Sequence, residues 1–146
     1  MQIKHLFAAA VLLLAPVVLA GCEAQDGDWD PIRFSVNDKN CPKTKYDCTY
    51  DAPAQGGTFR IGSSNYGKMF WPYEICDDGR KIWPESHDFS DYRNLRLDSD
   101  WYDVQYDIHG YLVVELQPKP TSVPSRSLLF KIECGDSFGE FTLRQQ

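Results

Sequence analysis

Histidine and methionine are scarce, and beyond one run near the start the chain has no long apolar stretch. Three His and two Met stand among 146 residues. After residue 21 only His87 and His109 remain, which leaves little for imidazole catalysis or a His-rich metal site. There is no His-Glu-x-x-His string and no complete phosphate loop. No segment after residue 21 holds a 3.6-residue apolar period, which argues against amphipathic helices. No internal repeat is visible. Positive charge is in deficit: 15 Lys and Arg face 21 Asp and Glu, a net charge of −6. A chain this acidic has no electrostatic footprint for nucleic acid. The run Asp88, Asp91, Asp98, Asp100, Asp103 lacks the ordered spacing of a calcium loop. It reads as a solvated acidic face, and no metal or cofactor is expected.

The start of the chain carries an address. Lys4 and His5 make a short positive segment, and Phe7 to Ala20 is apolar except for Pro16. That run is shorter than the roughly 20 residues of a membrane span and fits the apolar part of a secretory signal. Leu19-Ala20-Gly21-Cys22 resembles the bacterial lipobox. The resemblance implies cleavage before Cys22 and acylation of its thiol and new amine. Two or more acyl chains anchor a protein stably, whereas one does so only marginally. Loss of Lys4 with the leader makes the mature chain one unit more negative. Glu23, Asp26, Asp28 and Asp30 follow in a Gly-containing stretch that cannot bury apolar area and reads as a tether. It loosely resembles the acidic export signal of Bacteroidota surface lipoproteins. The alternative is a periplasm-facing lipoprotein with a solvated linker. The expected organisation is a signal peptide over 1–21, a flexible tether over 22–31 and one domain over 32–146. The expected location is the outer membrane, lipid-anchored through Cys22 and exposed at the cell surface.

With Cys22 assigned to lipid, Cys41, Cys48, Cys76 and Cys134 remain. An even number of Cys in an exported chain suggests disulfides, and four allow three pairings. Cys41 and Cys48 flank a polar, turn-like segment. A local bond there would leave Cys76 with Cys134. Free buried thiols are the alternative. Zinc is disfavoured, because no His lies near these Cys and the Cys-x₆-Cys spacing is unusual for it.

The mature chain reads as short strands and turns. Ile32–Val36, Thr58–Gly62, Trp101–Ile108, Tyr111–Gln117, Ser127–Cys134 and Phe138–Leu143 alternate apolar and polar residues. His109-Gly110 is a hairpin-turn candidate. Residues 37–54 look polar and turn-rich. Residues 66–100 are the least regular third, with short strands suggested near Met69–Cys76, Lys81–Trp83 and Asn94–Leu97. Asp77-Asp78-Gly79 reads as a strong turn. Aromatics at 14% with nine Pro favour strands over helices. The expectation is all-β: an antiparallel, immunoglobulin-like β-sandwich of about seven to eight strands.

Several short motifs support a family resemblance. They are Gly56-Gly57-Thr58-Phe59, Ser63-Ser64-Asn65, Trp101-x-x-Val104 and Gly110-Tyr111-Leu112-Val113-Val114. The ending Arg126, Leu128-Leu129-Phe130-Lys131-Ile132, Gly135-Asp136 and Phe141-Thr142-Leu143-Arg144-Gln145 is the most distinctive. Over residues 32–145 the chain resembles the BACON domain of Bacteroidota. The resemblance implies an immunoglobulin-like sandwich on a surface protein, with carbohydrate or mucin binding proposed for the family and a spacer role for some members. It carries no catalytic module, and a paired Asp/Glu hydrolase needs two carboxyl groups facing across a cleft, which a small sandwich rarely offers. The chain is therefore expected not to be an enzyme. Sugar rings stack their C–H faces on flat aromatics, and Trp71, Tyr73, Trp83 and Tyr92 cluster in the irregular third beside Asp88, Asp91 and Arg93. They are the candidate carbohydrate-binding residues, although Trp and Tyr also commonly fill sandwich cores. The expected role is non-catalytic glycan recognition at the envelope. The competing role is a structural or assembly component that contacts another envelope protein. The expected partners are the membrane, through Cys22, and a glycan or an envelope protein.

Overall fold

The computed structural model describes residues 30–42, 46–84 and 92–146. The leader, Cys22 and most of the tether lie outside the described residues, as do His87, Asp88 and Asp91. The described residues form eleven strands: β1 Phe34–Val36, β2 Lys39–Asn40, β3 Asp47–Ala52, β4 Gly57–Ser63, β5 Trp71–Asp77, β6 Arg80–Trp83, β7 Arg96–Asp98, β8 Tyr102–Tyr106, β9 Leu112–Leu116, β10 Arg126–Cys134 and β11 Ser137–Gln145. A one-turn 3-10 helix, Tyr92–Asn94, precedes β7. No described helix is long and apolar enough to cross a membrane.

The strands make two sheets, a β-sandwich. One is ordered β2-β1-β4-β9-β8-β7 and the other β3-β11-β10-β5-β6. Two features differ from the expectation. The strands outnumber the seven to eight expected, and one pairing is parallel: β3 runs alongside β11 from Asp47↔Glu140 to Ala52↔Gln145. β3 lies inside the stretch read as turns. Its inward residues include Cys48 and Ala52, which are small and give little apolar signal, and Pro42 and Pro53 bracket it.

Alternation explains the core. Along β10, Leu128, Phe130, Ile132 and Cys134 are buried at every second position. Along β11, Ser137, Gly139, Phe141, Leu143 and Gln145 do the same. Successive side chains of a strand point to opposite faces, so one face of each strand supplies the interior. Phe70, Phe130 and Phe141 are wholly buried, and removing each such side chain from water contributes about 1.5–3 kcal/mol. Phe34 ties them together, edge-on to Phe70 at 6.2 Å and tilted on Phe141 at 5.5 Å.

Turn chemistry sets the hairpins. Asn37 and Asp38 both have positive φ, 50° and 63°, between the paired residues Val36 and Lys39. Asp78 and Gly79, at 44° and 83°, close β5 onto β6 in the same way. Two successive positive φ values match strand twist in two-residue hairpins. The β8–β9 turn is held by Asp107, whose carboxylate accepts from the amides of His109 and Tyr111 at 2.8 and 3.0 Å.

The sandwich has two distinct poles. β10 spans nine residues, roughly 30 Å at 3.3 Å per residue. Near its Cys134 end, the hydroxyls of Tyr66 and Ser137 donate to the Asp30 carbonyl, where the described chain begins. Near its Arg126 end sits wholly buried Gln145. The Gln145 side-chain amide nitrogen donates to the carbonyls of Pro53, Ala54 and Gln117 at 3.2, 3.0 and 3.1 Å. Its oxygen accepts from Arg126 Nε at 2.8 Å. Among the described residues no buried side-chain polar atom lacks a partner.

Candidate functional site

The four candidate aromatics do not form one surface. Trp83 is 9% exposed and belongs to the core; it sits opposite Ile75 in the β5–β6 pair, so it cannot stack on a sugar. Trp71 and Tyr92 do come together, stacked at 5.7 Å with 20° between their planes. Tyr92 in turn meets Tyr106 edge-on at 5.2 Å, and the Tyr106 hydroxyl donates to the Phe70 carbonyl at 2.7 Å. Each of the two stacked rings spends a face on the other, and the trio pins the 3-10 helix to β5 and β8. Tyr73 is separate. The β5–β10 register shifts between Lys131 and Ile132, which leaves Tyr73 as the extra residue of a bulge. It is 40% exposed and meets Phe138, 53% exposed, edge-on at 5.9 Å. Glu74, ion-paired with Lys131 at 2.7 Å, stands beside it.

The four described thiols are free, and two of them are neighbours. The Cys48 thiol hydrogen-bonds Cys41, an interaction that holds Cys41 below the ordinary thiol range and pushes Cys48 above it. Cys41 follows β2 in one sheet and Cys48 lies on β3 in the other, so the contact bridges the sheets. Cys76 and Cys134 are not brought together. Cys76 sits opposite Leu129 and approaches Glu74, while Cys134 sits opposite Ser137 on the core face. Five residues of β10 separate the two positions, roughly 17 Å, well beyond the roughly 7 Å Cα limit for a disulfide. The fold therefore permits the expected local pair and not the expected second one. Burial pushes the Cys134 thiol up to about 12, which suits an inert core residue.

A groove opens between β6 and β7, the edge strands of the two sheets. Its volume is about 510 Å³, and it is lined by Arg80, Lys81, Ile82, Pro84, Leu97, Asp98 and Tyr102. That size lies within the roughly 300–1,000 Å³ common for ligand sites. Ile82, Pro84 and Leu97 give apolar wall, while Arg80, Lys81 and Asp98 give charge. Beside it lies a fixed polar network. The Asp77 carboxylate accepts hydrogen bonds from the side chains of Trp101 and Tyr102, and Ser99 bonds to the Tyr102 hydroxyl. The Arg126 guanidinium lies over the Trp101 ring, 4.6 Å from its centroid. Asp78 accepts from the Ser127 amide and hydroxyl at 2.8 and 3.2 Å. These bonds hold Tyr102 and the β5–β6 turn in place.

Burial, and then the neighbouring Asp78, raise the Asp77 pKa, against the lowering effect of Trp101, Arg80 and Tyr102. A folded-state carboxyl pKa above its unfolded value favours the folded state when protonated. That contribution is present below the unfolded value, about 3.9, and is lost as pH rises through the folded value. Asp77→Asn keeps an oxygen acceptor for Trp101 and Tyr102 without the charge. The urea midpoint of this variant, relative to the parent, is expected to rise as pH climbs from about 3.9 and then level off. A pH-independent difference would refute the assignment.

Two motif-like strings prove structural. Against the expectation that a chain of this kind has no nucleophile elbow, Gly135-Asp136-Ser137-Phe138-Gly139 matches the letters of a Gly-x-Ser-x-Gly elbow. The elbow needs a strand-to-helix turn. Here the string is the β10–β11 hairpin, and the Ser137 hydroxyl donates to Asp30 at 3.2 Å. Gly62 to Lys68 follows a phosphate-loop pattern up to Met69, which stands where a hydroxyl residue is required. No helix follows it, and the amides of Gly67 and Met69 are spent on the Ser63 and Tyr66 carbonyls. His109 is exposed in its hairpin turn. Among the described residues no His, Cys, Asp and Glu cluster could hold a metal ion.

Comparison with known proteins gives likeness of fold. No protein-family model matches the chain, and no curated protein matches it. Among solved structures, the chain is similar to a protein from Bacteroides thetaiotaomicron determined by NMR, at 25% identity and a TM-score of 0.57, across 87% of this chain and 96% of that one.

Proposed function

We propose that this protein is a non-catalytic glycan-recognition module of the bacterial envelope, a BACON-like, immunoglobulin-like sandwich lipid-anchored through Cys22 at the outer membrane and facing out from the cell. The observation that carries the reading is the β6–β7 groove. It combines apolar wall with charged groups that can take sugar hydroxyls, beside a hydrogen-bonded network that holds Tyr102 of its lining. Holding Tyr102 in place before a ligand arrives removes the entropy cost of ordering that side chain. The lipobox-like leader and the likeness to a Bacteroides protein support the envelope setting. The groove replaces the aromatic quartet as the proposed contact surface, because Trp83 is in the core and Trp71 and Tyr92 are packed on each other.

The test is affinity electrophoresis of the mature domain in gels containing host and plant polysaccharides. Retardation by at least one polymer is expected. Asp98→Ala removes a charged hydroxyl acceptor, so it is expected to weaken that interaction about tenfold or more. Migration unaffected by every polymer would refute the reading. The second reading, an assembly component contacting another envelope protein, draws on the exposed Tyr73–Phe138 pair. It predicts that Tyr73→Ser and Phe138→Ser disrupt a defined complex while glycan migration stays unchanged.

A further inference from the structure

We infer that the saccharide held in the β6–β7 groove is acidic, bearing a carboxylate or sulfate that Arg80 and Lys81 bind together. The inference rests on the glycan-recognition reading and adds the chemical class of ligand.

Arg80 and Lys81 are adjacent, exposed and both on the groove wall. Among the described residues neither forms an ion pair, although acids outnumber bases in the chain. The described acids of β5 and the β5–β6 turn beside them are already engaged. Asp77 accepts from Trp101 and Tyr102, Asp78 from Ser127, and Glu74 is held by Lys131 at 2.7 Å. Asp98, across the groove, remains available for hydroxyls. It sits directly opposite Asp103 of β8, a like-charge cross-strand pair that disfavours the fold slightly. Among the described residues the groove therefore presents two exposed cations outside any ion pair on one wall and one carboxylate on the other. A neutral sugar would satisfy the carboxylate and leave both cations without a charged partner. A uronate or sulfated ring satisfies all three: its acid group meets Arg80 and Lys81, and its hydroxyls meet Asp98. The planar guanidinium can grip a carboxylate or sulfate with two parallel hydrogen bonds, and the ammonium adds a point charge.

Affinity electrophoresis with five probes tests this: polygalacturonate, chondroitin sulfate, dextran sulfate, dextran and a neutral galactan. Retardation is expected with an acidic polymer and not with the two neutral ones. Polygalacturonate alone identifies a carboxylate ligand, and dextran sulfate alone a sulfate ligand; either outcome supports the inference. The double variant Arg80→Ala/Lys81→Ala should lose at least tenfold in affinity with an unchanged melting curve, since both side chains are exposed. Lys39→Ala, on the opposite edge of the six-stranded sheet, should retain binding, which excludes general attraction to polyanions. Added salt should weaken the parent's interaction. Neutral polymers bound as tightly as acidic ones, or acidic ones bound equally by the double variant, would overturn the inference and leave glycan recognition standing. No polymer bound at all would overturn both.

Discussion

Gln145→Ala is expected to destabilise the domain by about 3–5 kcal/mol, read as a lower urea midpoint. Gln145 is wholly buried, and its amide makes four hydrogen bonds, three to carbonyls and one to Arg126. A buried neutral hydrogen bond contributes about 1 kcal/mol net, one to a charged group more, and a charged donor stripped of its acceptor costs more again. The void left by the side chain adds to this. The bonds also join distant parts of the chain: the β3–β4 turn at Pro53 and Ala54, the end of β9 at Gln117, and the start of β10 at Arg126. Gln145→Glu should not rescue stability. A carboxylate keeps the acceptor for Arg126 but turns an oxygen with no hydrogen to give toward three carbonyl oxygens, and like partial charges then face each other. If Glu restored the parent midpoint, the donor role would be wrong.

The second large effect is expected at the neighbouring turn. Gly56 has φ of +77°, and a β-carbon there would lie 2.1 Å from the Leu116 carbonyl oxygen. The left-handed backbone costs an L residue roughly 1–2 kcal/mol. The clash is with backbone, so no rotamer relieves it, and a forced shift of this kind adds about 1–3 kcal/mol. Gly56→Ala should therefore destabilise by about 2–5 kcal/mol. The Gly56 amide donates to Pro53, whose carbonyl Gln145 also engages. The two substitutions act on one turn, so the double variant should lose less than the sum of the singles. Strict additivity would mean that the turn and the clamp are independent.

Much of the sandwich is legible in the sequence where alternation is strong. β8, β9 and β10 carry apolar residues at every second position, β11 adds Phe141 and Leu143, and those residues face the core. β3 is harder to read because its buried residues include only Cys48 and Ala52, and its pairing with β11 is non-local. The candidate site is legible only in part. Abundant aromatics mark residues 66–100 as unusual, but whether each ring faces in or out depends on register. Trp83 turns inward because it sits opposite Ile75, and Tyr73 turns outward because a bulge falls there. Arg80, Lys81 and Asp98 look in sequence like ordinary surface charges. They line one groove because β6 and β7, each at the edge of its sheet, border it, and strand order is not written in local pattern.

The positions of the two poles bear on mechanics. The described chain starts at Asp30, beside the Cys134 end of β10, whereas Arg80 stands opposite Asp77 in the β5–β6 register, and Asp77 opposite Leu128, toward the other end. Under the proposed function, a polymer gripped at the groove and tugged by flow would load the molecule lengthwise, between the Asp30 end and the groove. Antiparallel ladder bonds lie perpendicular to their strands, so those joining β1 to β4 would be sheared together, not unzipped singly. Lengthwise traction is thus spread over several bonds at once, the orientation in which a small sandwich resists being drawn out into a thread.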